Sequence, residues 1–298
     1  MSNKYFMGRS SMIGDNLSAL PTATYIKKID PDAYITWVIG KKCSSFAPLL
    51  LNHPDLDKIF VLDGEEKLES ERDFLEYNKN DFKLDINPNH PDSRYPKEFN
   101  IFFESFRMAG FSEQQWAELT PEEQIPKLVK WWQPVKRPFG DKKTIFFTGM
   151  PNFGRESKRW ISKQYLEKLV LRLVRLGYCV IQSGGEQDET WFNGQEIEDV
   201  SICSLNYKRV NELSFFDQIK IANECDCIVG SDSGMSLVCG AYSLQQVSLI
   251  PIHWGNENNP SALSTNNPNN YSFYSINGTD NIDIEEVITK VQEKIGNS

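Results

Sequence analysis

Asp15 follows a short apolar run and the polar turn Ser10-Ser-Met-Ile-Gly14, a place where a carboxylate could accept a proton from a bound group. The pattern predicts a buried strand over Tyr5 to Arg9, a turn over Ser10 to Gly14, and Asp15 where the turn becomes a helix. The apolar face of that helix is Leu17, Leu20, Tyr25, Ile26 and Ile29. Ligands of open α/β sheets bind beyond the carboxyl ends of the strands, and the first strand-to-helix turn lies on that rim. The competing use of Asp15 is structural, since aspartate caps helices by accepting their first free N–H groups.

The second half carries further candidates. Gly149-Met-Pro-Asn-Phe-Gly154-Arg-Glu156 has the glycine spacing of a P-loop but lacks the Lys and the Ser or Thr that serve phosphate and magnesium, which argues against an ATPase. Between a strand and a helix, its N–H groups still suit an anion, and Lys158 could add a point charge for a diphosphate. Glu186, after Gly184-Gly185 at a strand end, could bind a ribose hydroxyl. Gly230-Ser-Asp232-Ser-Gly234 resembles a nucleophile elbow centred on Asp, but none of His53, His90 and His253 has a context that selects it as a base. The same segment suits a strand-to-helix loop whose N–H groups at Gly234, Met235 and Ser236 meet a phosphate, or simply a capped tight turn.

Other residue pairs favour plain structural roles. Asp30/Asp32 and Asp55/Asp57 lie beside proline before strands and read as turn and cap residues rather than metal ligands. Trp131-Trp132 could stack on a sugar, but a docking aromatic pair is the simpler reading. No Gly-x-Gly-x-x-Gly occurs, which weakens a nicotinamide oxidoreductase.

These residues need a scaffold of ordinary globular composition: 298 residues, 40% hydrophobic and 24% charged. The net charge of -9 argues against a broad nonspecific grip on nucleic acid. No apolar run approaches the length of a bilayer span, and a cytoplasmic location is expected. The six cysteines, Cys43, Cys179, Cys203, Cys225, Cys227 and Cys239, lack Cys-x-x-Cys spacing, so a zinc site is not expected. Those near strands and helices read as small buried apolar groups.

Strand and helix alternate through Tyr34 to Ile39, a short helix near Ser45 to Leu51, and Lys58 to Leu62. Glu65 to Arg94 reads as a surface excursion with one short strand at Phe82 to Leu84. Helices are predicted at Glu98 to Gly110 and Pro121 to Trp131. Gln133 to Lys142, rich in Pro and Lys, reads as a linker. The alternation then restarts. Strands are predicted at Thr144 to Phe147, Cys179 to Gln182, Asp226 to Val229 and Val247 to Ile250. The helices are Ile161 to Leu176, Phe215 to Asn223, Met235 to Ala241 and Ile284 to Ile295. The boundaries that follow are residues 1–135 and 136–298, an α/β class with two Rossmann-like domains of parallel sheet facing a cleft.

The run Arg9-x-Ser-x-x-Gly-Asp15-x-Leu-x-Ala-Leu-Pro21, with Pro31-Asp-Ala-Tyr-Ile-Thr-Trp37 and His53-Pro-Asp-Leu-Asp57, resembles the amino-terminal half of glycosyltransferase family 9, the heptosyltransferase-like enzymes. Lys158-Arg-Trp160, Gly184-Gly-Glu186 and Asp232-Ser-Gly234 continue the resemblance in the family's order. It implies the GT-B fold and inverting transfer of a sugar from a nucleotide-diphosphate donor to an acceptor hydroxyl, with no metal or cofactor. Asp15 would be the general base. Residues 1–135 would bind the acceptor and 136–298 the donor, through Thr148, Lys158, Glu186, Asp232, Ser233, Gly234, Met235 and Ser236. Closure about residues 133–142 would exclude water.

The chain departs from the family where Met235-Ser-Leu-Val-Cys-Gly replaces a loop that often carries a His, and where Ile161 replaces a Pro. Residues 64–142 resemble it least, so a glycan, a protein or a modified nucleic-acid base stays open as acceptor. A noncatalytic nucleotide-sugar or glycan binder and a sugar-nucleotide epimerase are the alternatives.

Overall fold

The computed structural model describes residues 3–9, 13–61, 101–148, 161, 163–184, 205–231, 233–251, 267–275 and 279–296. The chain divides into two compact units, Met1–Trp131 and Trp132–Ser298.

In the first unit, strands β1 (Lys4–Arg9), β2 (Tyr34–Ile39) and β3 (Lys58–Val61) form a parallel sheet in the order β1-β2-β3. Helices α1 (Ile13–Ser18) and α2 (Leu20–Ile29) join β1 to β2. The expected single helix is thus two. Pro21 lacks the N–H that would bond Leu17 and crowds the preceding turn, so the helix breaks at Ala19 and restarts with Pro21 in its first turn. Because α1 begins at Ile13, Asp15 is its third residue and not its cap. Ile29, expected on the apolar face, is 50% exposed.

The short helix expected near Ser45 is a 3-10 turn, Lys41–Phe46, running into α3 (Ala47–Leu50). Next among the described residues come α4 (Ile101–Met108) and α5 (Glu113–Ala117). Phe102 and Phe106 of α4 pack with Tyr25, Trp116 and Leu119, the Tyr25 and Phe106 rings meeting edge to face at 5.1 Å. No element is predicted over α5, although its Ser112–Gln115 capping box is a readable start signal.

The helix predicted over Pro121 to Trp131 does not form. Thr120 and Glu123 exchange side-chain and backbone bonds of 2.8 and 3.3 Å that open a turn, and Pro126 stops it by removing an N–H and driving Ile125 out of the helical region. The segment instead straps onto its own unit. Lys28 donates to the Glu118 carbonyl and to Glu123, and Trp131 donates to the Pro48 carbonyl at 3.0 Å.

Among the described residues the second unit forms an all-parallel sheet of six strands: β4 (Thr144–Thr148), β5 (Cys179–Gln182), β6 (Tyr207–Arg209), β7 (Cys227–Ser231), β8 (Gln246–Pro251) and β9 (Asn270–Ser275). Their order is β6-β5-β4-β7-β8-β9, so β4 leads outward in one direction and β7 in the other. This is the doubly wound Rossmann arrangement, with its switch point between β4 and β7. Its α-helices among the described residues are α6 (Lys163–Arg175), α7 (Phe215–Ala222), α8 (Gly234–Ala241) and α9 (Ile284–Gly296).

Leu166, Leu169, Val170, Leu173 and Val174 of α6 are buried, as their spacing predicts, against Val180, Val229 and Val291 among others. Each such side chain contributes roughly 1.5–3 kcal/mol by leaving water. Strands β6 and β9 are unanticipated. Both are edge strands whose faces are only partly buried, which blurs the apolar signature.

The segment read as a linker belongs to the second unit. Arg137 and Lys143 both pair with Asp226, which also accepts the Thr144 N–H at 2.8 Å. Burial works to raise the Asp226 carboxyl, but that N–H bond and the two cations outweigh it and hold the group below its usual range. Trp132 packs edge to face on Phe216 and Tyr242 at 5.3 and 5.4 Å. The two adjacent tryptophans are therefore anchored in different units.

The expected surface excursion at 65–94 with its strand at 82–84, the Gly149–Glu156 segment, Cys203, His90 and His253 lie outside the described residues.

Candidate active site

The switch point of the second unit collects the small polar residues singled out in the sequence. Thr148 ends β4 and pairs in register with Gly230 of β7. A side-chain carbon on Gly230 would stand 1.5 Å from Thr148 Oγ1 and 2.9 Å from Ser236 Oγ, so glycine is the one residue that lets the threonine turn inward. The two hydroxyls, Thr148 Oγ1 and Ser236 Oγ, are 2.7 Å apart and buried.

Proton bookkeeping fixes the direction of this bond. Ser236 Oγ gives its hydrogen to the Ser231 carbonyl at 2.7 Å, so Thr148 donates to Ser236. Ser233 caps α8: its Oγ accepts the Ser236 N–H at 3.2 Å. The Ser236 N–H that the sequence offered to a phosphate is therefore already used, because the residue at the helix entrance is a serine in extended conformation. The N–H groups of Gly234 and Met235 open α8 and have no partner within the helix. Thr148, Ser233 and Ser236 brace the loop; Gly234 and Met235 present donors at its mouth.

A second strand end is held by a residue that sequence reasoning missed. Gln218 of α7 clamps the Gly184 backbone, its amide oxygen accepting the Gly184 N–H at 3.1 Å and its amide N–H donating to the Gly184 carbonyl at 2.9 Å. Gly184 has φ of 153°, which side chains rarely adopt. A glutamine in a helix carries no local mark of such a role; its partner is 34 residues away. Cys239 on α8 is no nucleophile, since burial pushes its thiol up to about 12.

In the first unit α1 begins after the carboxyl end of β1, which puts residue 15 at the rim of that sheet. Next to it, Asn16 Oδ1 accepts the Trp37 indole N–H at 3.3 Å, and Ser18 Oγ meets Ser105 Oγ at 2.9 Å, both in buried surroundings. Three of the aspartates near the turns, Asp30, Asp55 and Asp57, are engaged structurally. Asp30 accepts from Asn3, Asp55 from Thr24, and Asp57 from the Ile35 N–H and Lys27. Among the described residues no group of three His, Cys, Asp or Glu is arranged to hold a metal. Lys158, Glu186 and Asp232 lie outside the described residues.

No family model matches the chain, and no curated protein matches it in sequence. Solved structures do. The E. coli ADP-heptose lipopolysaccharide heptosyltransferase II aligns with a TM-score of 0.71 at 14% identity, over 98% of this chain and 99% of that one. A glycosyl transferase family 9 structure from Veillonella parvula gives 0.66 at 12% identity, over 100% and 99%. A putative UDP-N-acetylglucosamine 2-epimerase from Listeria monocytogenes gives 0.51 at 13%, over 100% and 89%. The chain has the GT-B type of fold, two Rossmann-like units, found in the family 9 glycosyltransferase structures.

Proposed function

We propose that this chain is an inverting, metal-independent glycosyltransferase. It moves a sugar from a nucleotide-diphosphate donor to the hydroxyl of a glycan, protein or modified nucleic-acid acceptor. The observation that carries this reading is the braced loop from Gly230 to Ser236 at the switch point of the second unit, where open α/β sheets bind their ligands.

Residues 136–298 take the donor and residues 1–135 the acceptor. Asp15 accepts the acceptor's proton as that oxygen bonds to the anomeric carbon and the bond to the diphosphate breaks. The N–H groups of Gly234 and Met235, with Lys158, take up the charge left on the departing nucleoside diphosphate. Thr148, Ser233 and Ser236 hold those donors in place. Glu186 binds the ribose and Asp232 contacts the sugar or orders its loop. The loop has no imidazole between Met235 and Gly240, which leaves phosphate stabilisation to backbone donors and Lys158.

A second reading, epimerisation of a nucleotide sugar, draws on the shared fold of the Listeria structure. A noncatalytic nucleotide-sugar or glycan binder is the third. Thermal-shift measurement over nucleotides and nucleotide sugars identifies the donor, because a ligand of the folded state raises apparent stability. Acceptor-dependent release of nucleoside diphosphate then marks a transferase, inversion at carbon 2 an epimerase, and selective binding without turnover across an acceptor panel a binder. Among the described residues no helix is long and apolar enough to cross a membrane. We place the enzyme in the cytoplasm, a reducing compartment that suits buried thiols such as Cys179, Cys227 and Cys239.

A further inference from the structure

We infer that Trp37 and Asn16 are positioning residues for Asp15: the Trp37 indole N–H, bonded to Asn16 Oδ1, sets the rotation of α1 about its axis. The inference rests on Asp15 being the base for its catalytic meaning, but the positioning itself can be observed without substrate.

A six-residue helix cannot fix its own geometry. Its orientation must come from side chains that lock onto the rest of the unit. Asn16, Leu17 and Ser18 are wholly buried and span about 200° of the circumference at roughly 100° per residue. The backbone position of residue 15 falls outside that arc. Leu17 contributes apolar packing, which tolerates rotation, whereas the hydrogen bonds at Asn16 and Ser18 are directional.

The two bonds reach different partners. Ser18 is tied to Ser105 on α4, 87 positions away, and Asn16 to Trp37 on the central strand β2. Trp37 itself has no exposed surface and pairs with Met7 of β1 in a parallel ladder. The bond at Asn16 is the one adjacent to Asp15, so a change there rotates residue 15 most directly. A displacement of about 1 Å in a reacting group can cost on the order of a hundredfold in rate, which gives this bond its importance.

The test uses the full chain labelled with carboxyl-13C aspartate, the Asp15 signal being identified by its loss in Asp15→Asn. In Trp37→Phe, which keeps an aromatic ring but removes the N–H, the Asp15 signal moves and its titration midpoint shifts by about half a pH unit or more. Asn16→Ala, which leaves the indole in place, does the same and serves if Trp37→Phe fails to fold. Ile35→Val, trimming the buried core of β2, lowers the melting temperature without moving the signal. An Asp15 resonance unchanged in both variants, or moved equally by Ile35→Val, overturns the inference. The base assignment is judged separately, by whether Asp15→Asn still turns over, so failure of one is distinct from failure of the other.

Discussion

Gly230 and Thr148 oppose each other across β7 and β4, and the threonine hydroxyl occupies the volume a Gly230 side chain would need. Gly230→Ala should therefore destabilise the second unit by about 1–3 kcal/mol through overpacking. Thr148→Ala in the same chain should recover part of that loss. Urea denaturation of the single and double variants reads the coupling, and simple additivity would show that the two side chains do not compete for space.

Asp15→Asn should abolish sugar transfer while leaving donor affinity within a few fold, since the amide keeps the shape but not the basicity. Turnover measured as nucleoside diphosphate release, beside donor binding by calorimetry, checks both halves. Undiminished turnover removes Asp15 from the reaction.

Lys158→Ala should weaken nucleoside diphosphate binding by roughly 1–3 kcal/mol, the scale of a charge-assisted contact. Calorimetry with the free diphosphate is the direct measurement. Equal affinity of wild type and variant would leave the loop N–H groups as the whole anion site.

Activity should survive EDTA, because no step of the proposed transfer calls on a Lewis acid. A complete loss reversed by adding a divalent ion would contradict the metal-free scheme.

His53 supplies a pH dependence. Its ring is buried, and Nδ1 accepts the Asp55 N–H at 3.2 Å, which only an unprotonated nitrogen can do. Burial lowers its pKa below the ordinary 6.5, outweighing the opposing charge of Asp55 and the bond to the Lys127 backbone. A depressed histidine pKa means that the unfolded chain binds the proton more readily. The stability is whole above about pH 6.5 and declines as pH falls through and below that value. Urea denaturation at about pH 7.5 and about pH 5.5 should show a larger loss for wild type than for His53→Gln.

Much of the scaffold was legible because burial imposes a period on sequence. Cys179–Gln182 reads as a strand and is one, and the apolar spacing of α6 marks the residues that are buried. The aspartates near the turns were legible as turn residues from their neighbouring prolines, and the structure shows Asp30, Asp55 and Asp57 bonded within their own unit.

Local chemistry that the periodicity overrode was legible too. Pro21 and Pro126 mark the broken helix and the absent one. The capping box at Ser112 marks the start of α5, a helix too short to show an apolar period.

By itself, then, the sequence determined two α/β units and the small polar residues at their strand ends, since periodicity and turn chemistry act over a few neighbouring residues. Tertiary structure alone decided that Gln218 would clamp Gly184, that Thr148 would donate to Ser236, and that adjacent Trp131 and Trp132 would anchor in different units. Those outcomes depend on which strands lie side by side, and partners separated by tens of residues leave no periodic trace along the chain.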